Sequence, residues 1–141
     1  MIKNLSILLV EDDDVAAESV MRSLAKTAPN IPIVLASNGQ EALDIILTDN
    51  KKSPLSRPFI VLLDLRMPVM NGLAFLEVVR QSKDLKELVI FVLTTSDAET
   101  DRTQAYYHNV AGYMVKSAVG PQFSKLASLL LSYQKAVAMI P

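Results

Sequence analysis

Apolar positions along this chain follow two rhythms that alternate. The runs "LSILLV" (5–10) and "IPIVLA" (31–36) read as strands. "FIVLLD" (59–64) and "LVIFVLT" (88–94) lack in–out alternation, as expected of strands covered on both faces, and "GYMV" (112–115) is a short fifth strand. Between these runs the period lengthens. Ala17, Val20, Met21 and Leu24 recur at i, i+3, i+4, i+7, one face of a helix. The turn signal Asn38-Gly39 precedes a helix with Ala42, Leu43, Ile46 and Leu47 on one side. Leu73, Leu76 and Val79 share a side after the loop "MPVMNG". "DAETDRTQAYYHN" predicts a mostly polar helix, poor in apolar residues for a core element. Gly120-Pro121 opens a last helix, with proline in the first turn where its missing N–H costs little. The segment 48–58, "TDNKKSPLSRP", is polar with two prolines and reads as a loop.

Five strands alternating with five helices predict an α/β fold: a doubly wound parallel sheet with helices on both faces. Such sheets carry their sites at the carboxyl ends of the strands, near a topological switch point. The polar residues that end strands here are Glu11, Asp12, Asp64, Thr94 and Lys116, and all five are expected to converge on one edge.

Composition narrows the class. At 141 residues the chain reads as one domain over 1–141, without repeats or a linker to a second domain. Half the residues are hydrophobic and 21% charged, which fits a globular protein. A net charge of −1, with 14 scattered Lys and Arg, gives no basic face for DNA. The absence of cysteine excludes disulfides, thiolate catalysis and Cys-ligated metal. Neither a signal peptide nor a bilayer-spanning run is found, so a cytoplasmic domain is expected.

Three carboxylates, a hydroxyl and an ammonium in one pocket describe phosphoryl transfer. Crowded carboxylates need a cation, and an all-oxygen site with spare positions suits Mg²⁺. Lys116 adds a compact point charge for an acid or a phosphoryl oxygen, Thr94 adds a donor, and an aspartate can serve as nucleophile. Plainer roles exist for each residue. The acids at 11–14 could cap and charge the next helix, the favoured reading for Asp13 and Asp14. Thr94 and Lys116 alone would be ordinary strand-end residues. Asp64 resists such a reading, because it ends an apolar strand where a lone carboxylate is costly.

These residues resemble the receiver domain of two-component response regulators. "LLVEDD" is similar to the family's acidic pair, "VLLDLRMPVMNG" to its acceptor loop D-x-x-M-P-x-x-x-G, "FVLTTS" to its switch segment and "AGYMVKS" to its lysine segment. The spacings agree: 30 residues from Asp64 to Thr94 and 22 from Thr94 to Lys116. The resemblance implies a flavodoxin-like (βα)5 fold in which Asp64 accepts a phosphoryl group from a histidine kinase. Asp12 and Asp64 would bind Mg²⁺, with Glu11 holding it through water and the Arg66 backbone carbonyl as a further ligand. Lys116 would contact the phosphoryl oxygens, Thr94 would move in to bond one of them, and Tyr113 would rotate inward with it. Such a protein is a phosphoacceptor rather than an enzyme, beyond self-catalysed phosphotransfer and dephosphorylation. "LTTS" with "KS" resembles a single-domain subgroup serving phytochrome-like histidine kinases. Ser117 departs from the family's proline after the lysine, and a trans Lys116–Ser117 bond is expected, since a cis bond before a non-proline residue costs ~2.5–4 kcal/mol.

No effector domain follows in the sequence, so output is expected through a partner, self-association or onward phosphotransfer. Phe123, Leu126, Leu130, Tyr133 and Val137 form a heptad-like seam on the last helix. Two readings fit that seam: one face packed on the sheet, or a homodimer closed by two-fold symmetry. His108 is expected to be solvent-facing and inert, and Met67, Met70 and Met114 to serve packing. Rival functions fit less well. A nucleotide site needs a glycine-rich turn where this chain has acids. A phosphatase with an aspartyl intermediate would want an aspartate where Arg66 stands. A pseudo-receiver that binds partners without phosphorylation would not need the full acid, threonine and lysine set.

Overall fold

The computed structural model describes residues 5–48, 52–120 and 123–139. Each apolar run forms a strand: β1 (Ser6–Val10), β2 (Ile33–Ala36), β3 (Phe59–Leu63), β4 (Val89–Thr94) and β5 (Gly112–Val115). They alternate with α1 (Asp14–Thr27), α2 (Gly39–Leu47), α3 (Gly72–Gln81), α4 (Glu99–Tyr107) and α5 (Ser124–Ala136). All pairings are parallel, in the order β2-β1-β3-β4-β5. The order reverses between β1 and β3, so the crevice at their carboxyl ends is the switch point.

The strands are apolar throughout because both faces are covered. Ile7 and Leu9, Ile60 and Leu62, and Phe91 and Leu93 pack with residues of α1 and α5. Leu8 and Val10, Val61 and Leu63, and Ile90 and Val92 pack with residues of α2, α3 and α4. Three helices begin on side-chain caps: Asp13 accepts from Val15 and Ala16, Asn38 from Glu41, and Asn71 from Ala74. Each cap is worth about 1 kcal/mol. Asp13 thus has the capping role expected of it, with Asp14 as the first-turn acid of α1.

Three details depart from the sequence reading. Leu47 is 66% exposed, because the last residue of α2 lies about 100° round from Ile46 and turns off the sheet. The last helix begins at Ser124 rather than at Gly120-Pro121. Gly120 (φ 83°) and Phe123 (φ 58°) are left-handed and cannot join a right-handed helix; Pro121 itself lies outside the described residues. His108 is half-buried rather than solvent-facing: it caps the end of α4, edge-on to Tyr107. Residues 49–51 of the polar loop also lie outside the described residues.

The seam proves shorter than its spacing implied. Leu126 and Leu130 are buried in the cluster that holds Ala17, Val20 and Leu24 of α1, and Tyr133 meets the Phe91 ring edge-on. Phe123 and Val137 fall outside α5, as its two caps. One face of the helix is therefore spent within the chain.

α4 is weakly anchored, with Ala105 its only buried residue. Arg80 of α3 compensates at its carboxyl end. Nε donates to the His108 carbonyl (2.6 Å), Nη2 to that of Asn109 (3.1 Å), and Nη1 to those of Lys86 and Leu88 (2.7 and 2.9 Å). Burial pushes the guanidinium below its usual value, but it stays charged and lies where the helix dipole is negative. No helix among the described residues is long and apolar enough to cross a membrane. Arg80→Ala, which strips these carbonyls of their donor, is expected to lower stability by about 2–4 kcal/mol in urea titration. A loss below about 1 kcal/mol would contradict a structural role for Arg80.

Candidate functional site

Strand register brings the acids together. Val10 pairs with Ala36 on one side and Leu63 on the other, so Glu11 and Asp64 leave the sheet at one level. The ladder runs one step further: the Glu11 amide donates to the Ala36 carbonyl (2.9 Å) and the Asp64 amide to that of Val10 (3.0 Å). These bonds fix both backbones and leave the carboxylates on the crevice. Glu11 and Asp64 are buried at 3% and 6% exposure, while Asp12 is exposed. One carboxylate oxygen from each of Glu11, Asp12 and Asp64 lies within 4.8 Å of the others.

Lys116 follows β5, and its ammonium donates to Glu11 Oε1 and, at 3.4 Å, to Asp64 Oδ2. The Lys116–Ser117 bond is trans, and the cis peptide among the described residues joins Arg57 to Pro58. One ammonium faces three carboxylates, so the cluster has acceptor charge to spare. Burial pushes Glu11 up to about 7, the hydrogen bond and charge of Asp64 push the same way, and Lys116 opposes them. Burial alone would lower Lys116, but the bond to Glu11 and the charges of Asp64 and Glu11 outweigh it and hold the lysine above its ordinary value. An acid raised by burial and by its neighbouring carboxylate, with one ammonium between the two, belongs to a cluster that a divalent cation would satisfy. Its all-oxygen donors fit Mg²⁺ chemistry.

The loop after Asp64 is held tightly. The Arg66 amide donates to Asp64 Oδ1 (3.2 Å) and the Gly72 amide to the Leu65 carbonyl (3.1 Å). A Cβ on Gly72 would lie 2.5 Å from the Asp64 carbonyl oxygen and 2.7 Å from Leu65 Cα, so only glycine lets α3 start this close behind the acid. Met67 and Met70 pack in the same cluster as α3, and Met114 in the other, as expected.

Thr94 and Tyr113 form a second group. Thr94 is fully buried, and its hydroxyl accepts from the Ser96 amide (3.4 Å) rather than bonding the acids. The Tyr113 hydroxyl donates to the Ser96 carbonyl (2.9 Å), and the Arg102 guanidinium lies over its ring. Both expected switch residues thus meet at Ser96. Asp101 on α4 escaped sequence reading: it accepts from Arg66 Nη2 (2.7 Å) and Ser96 Oγ (2.5 Å). Only its place in the first turn of a polar helix was visible, and that position also suits a dipole-complementing acid.

A 2-1-3-4-5 parallel sheet with an acid trio at its switch point and a lysine reaching in after β5 defines a doubly wound α/β domain with an acidic pocket. Residues 7–127 match the family model described as "Response regulator receiver domain", and the chain belongs to that family. It is 34% identical over 110 residues to the probable methanogenesis regulatory protein FilR2 of Methanothrix harundinacea, covering 78% of this chain and 70% of FilR2. It is 28% identical over 135 residues to response regulator Rcp1 of Synechocystis, covering 96% and 92% of the two chains. The phosphorylated cyanobacterial phytochrome response regulator RcpA superposes with a TM-score of 0.83 at 27% identity, over 99% of each chain. A solved Mn²⁺-bound form of Rcp1 superposes with a TM-score of 0.80, with 28% identity over 96% of this chain and 98% of that one.

Glu11 generates a pH prediction. Its folded value lies above the ordinary 4.5, so the folded state holds a proton that the unfolded state has lost. Its contribution is fully present below about pH 4.5 and is lost as pH rises through about 7. With chelator present, wild type is expected to lose on the order of 1–3 kcal/mol relative to Glu11→Gln across that window. Parallel stability curves for the two proteins would remove Glu11 as the proton's holder.

Proposed function

We propose that this chain is a phosphoacceptor that takes a phosphoryl group on Asp64 from a histidine kinase and thereby switches its partner-binding surface. The observation that carries the reading is the Glu11–Lys116–Asp64 contact at the sheet's switch point. Asp64 is the acid best placed to react. Glu11 is the deepest of the three and bound to the lysine, and Asp12 stands outside, whereas Asp64 presents Oδ2 to Lys116 and Oδ1 to the Arg66 amide.

In the reaction an Asp64 oxygen attacks phosphorus, the donor's P–N bond breaks, and the histidine nitrogen leaves with the electron pair. Lys116 then neutralises a phosphoryl oxygen, a role its ammonium already fills toward Asp64. Asp12, Asp64 and the Arg66 carbonyl would hold Mg²⁺ directly, and Glu11 would hold it through water. Bound there, Mg²⁺ would neutralise charge shared by the acids and the phosphoryl group. The phosphoryl group adds up to about −2 of charge, and a Thr94 hydroxyl drawn toward it must give up the Ser96 amide. Ser96 also holds Tyr113, so both switch residues respond through one backbone segment.

The likeness to RcpA supports a phytochrome-like kinase as donor, and the Mn²⁺-bound Rcp1 supports a divalent ion in the acid cluster. A homodimer through α5 and the residue that caps it would rest on Leu129 and Val137, 40% and 42% exposed. It calls for a concentration-dependent rise toward twice the chain mass in light scattering, and a constant monomer mass with and without phosphodonor would remove it.

Acetyl phosphate with Mg²⁺ is expected to add one phosphoryl group per chain by intact mass, and hydroxylamine should cleave this acyl phosphate, releasing inorganic phosphate and leaving a hydroxamate. Asp64→Asn should take up none. Labelling of Asp64→Asn, or failure of wild type to label, defeats the reading. Asp12→Ala should weaken Mg²⁺ binding about tenfold or more in titration calorimetry, whereas unchanged affinity would take Asp12 out of the metal site.

A further inference from the structure

Arg66 sits two residues past the acceptor, yet its side chain turns away from the acid cluster. Its Nη2 pairs at 2.7 Å with Asp101 Oδ2 on the first turn of α4, and the same oxygen accepts from Ser96 Oγ at 2.5 Å. The Arg66 side chain is 63% exposed, whereas that of Asp101 is 16% exposed. One carboxylate oxygen therefore joins the loop after β3 to the loop after β4, the two segments that flank Asp64. Ser96 is in turn bonded to Thr94 through its amide and to Tyr113 through its carbonyl. Arg66 and Asp101 also line a cavity of about 330 Å³ with Leu65, Met67, Asn71 and Leu73, which leaves the guanidinium room to move.

We propose that Asp101 is a positioning residue for the phosphoryl site: it clasps Arg66 and Ser96 in the unphosphorylated arrangement and is released when a phosphoryl group on Asp64 competes for them. The inference rests on Asp64 being the acceptor. A phosphoryl group is a stronger partner for a guanidinium than a single carboxylate oxygen, because it offers three acceptor oxygens and about −2 of charge. Thr94, drawn to the same group, gives up the Ser96 amide and so frees that segment from the other side. Losing both arms leaves the amino end of α4 tied to the loop before it by the exposed Arg102–Asp97 pair, in a helix with one buried side chain. The clasp thus biases a two-state equilibrium toward the unphosphorylated form, and weakening it raises apparent affinity for anything that prefers the other form.

Asp101→Asn keeps an acceptor for Ser96 and removes the charge that holds Arg66. The measurement is affinity for beryllofluoride, a phosphoryl mimic, with saturating Mg²⁺, in wild type, Asp101→Asn, Arg66→Ala and the double variant. Asp101→Asn is expected to bind the mimic about three- to tenfold more tightly, with Mg²⁺ affinity unchanged. In the Arg66→Ala background the same substitution is expected to change affinity less than about twofold, since no guanidinium remains to release. Unchanged or weaker binding in Asp101→Asn, or an equal gain without Arg66, overturns the clasp. A wild type that binds no mimic and takes no label from acetyl phosphate overturns the acceptor reading instead, so the two failures are distinguishable.

Discussion

Two buried acids share one ammonium at the crevice between β1 and β3, and the site's other properties follow from that crowding. Parallel register places Glu11 and Asp64 side by side with their backbones tied into the ladder, so neither can retreat from the other. Lys116 bonds both but balances only one. Burial first, and the neighbouring Asp64 second, raise Glu11 toward about 7, and a proton or a cation relieves the crowding. A rigid sheet is what sustains this condition, because a flexible site would relieve it by letting one carboxylate swing into water.

Around this fixed centre the structure softens in a graded way. β1, β3 and most of β4 are buried, and α1, α2, α3 and α5 each sink several residues into a core cluster. α4 sinks one. It is held chiefly by polar contacts: Arg80 at one end, Asp101 at the other, and Arg102 over Tyr113 between. Such contacts are individually modest, and they can be exchanged without opening a cavity. A helix attached in this way can shift while the sheet beneath it stays intact.

The fold was legible in the sequence because strands buried on both faces leave unbroken apolar runs, while one-sided helices leave a 3.6-residue period. Glu11, Asp12, Asp64 and Lys116 were legible because polar residues stood where those runs ended, and the parallel topology sends all such ends to one edge. The misses share a cause. Gly120 and Phe123 delay α5 through backbone angles that composition does not reveal. The Arg66–Asp101–Ser96 cluster joins residues from a loop and a polar helix whose pairing no periodicity encodes. Arg80 carries no such signal in the sequence, because its partners are main-chain oxygens and carry no residue identity.

That last feature bears on how such a domain can diversify. Arg80 grips α4 by the carbonyls of His108 and Asn109, which every amino acid supplies. The grip is therefore blind to side chains, and Ala105 is the one position where the helix must satisfy the core. Nearly the whole outer face of α4, including exposed Tyr106 and Tyr107, can be rewritten without loosening the attachment of its carboxyl end. The sequence of this face can drift while the machinery behind it stays unchanged.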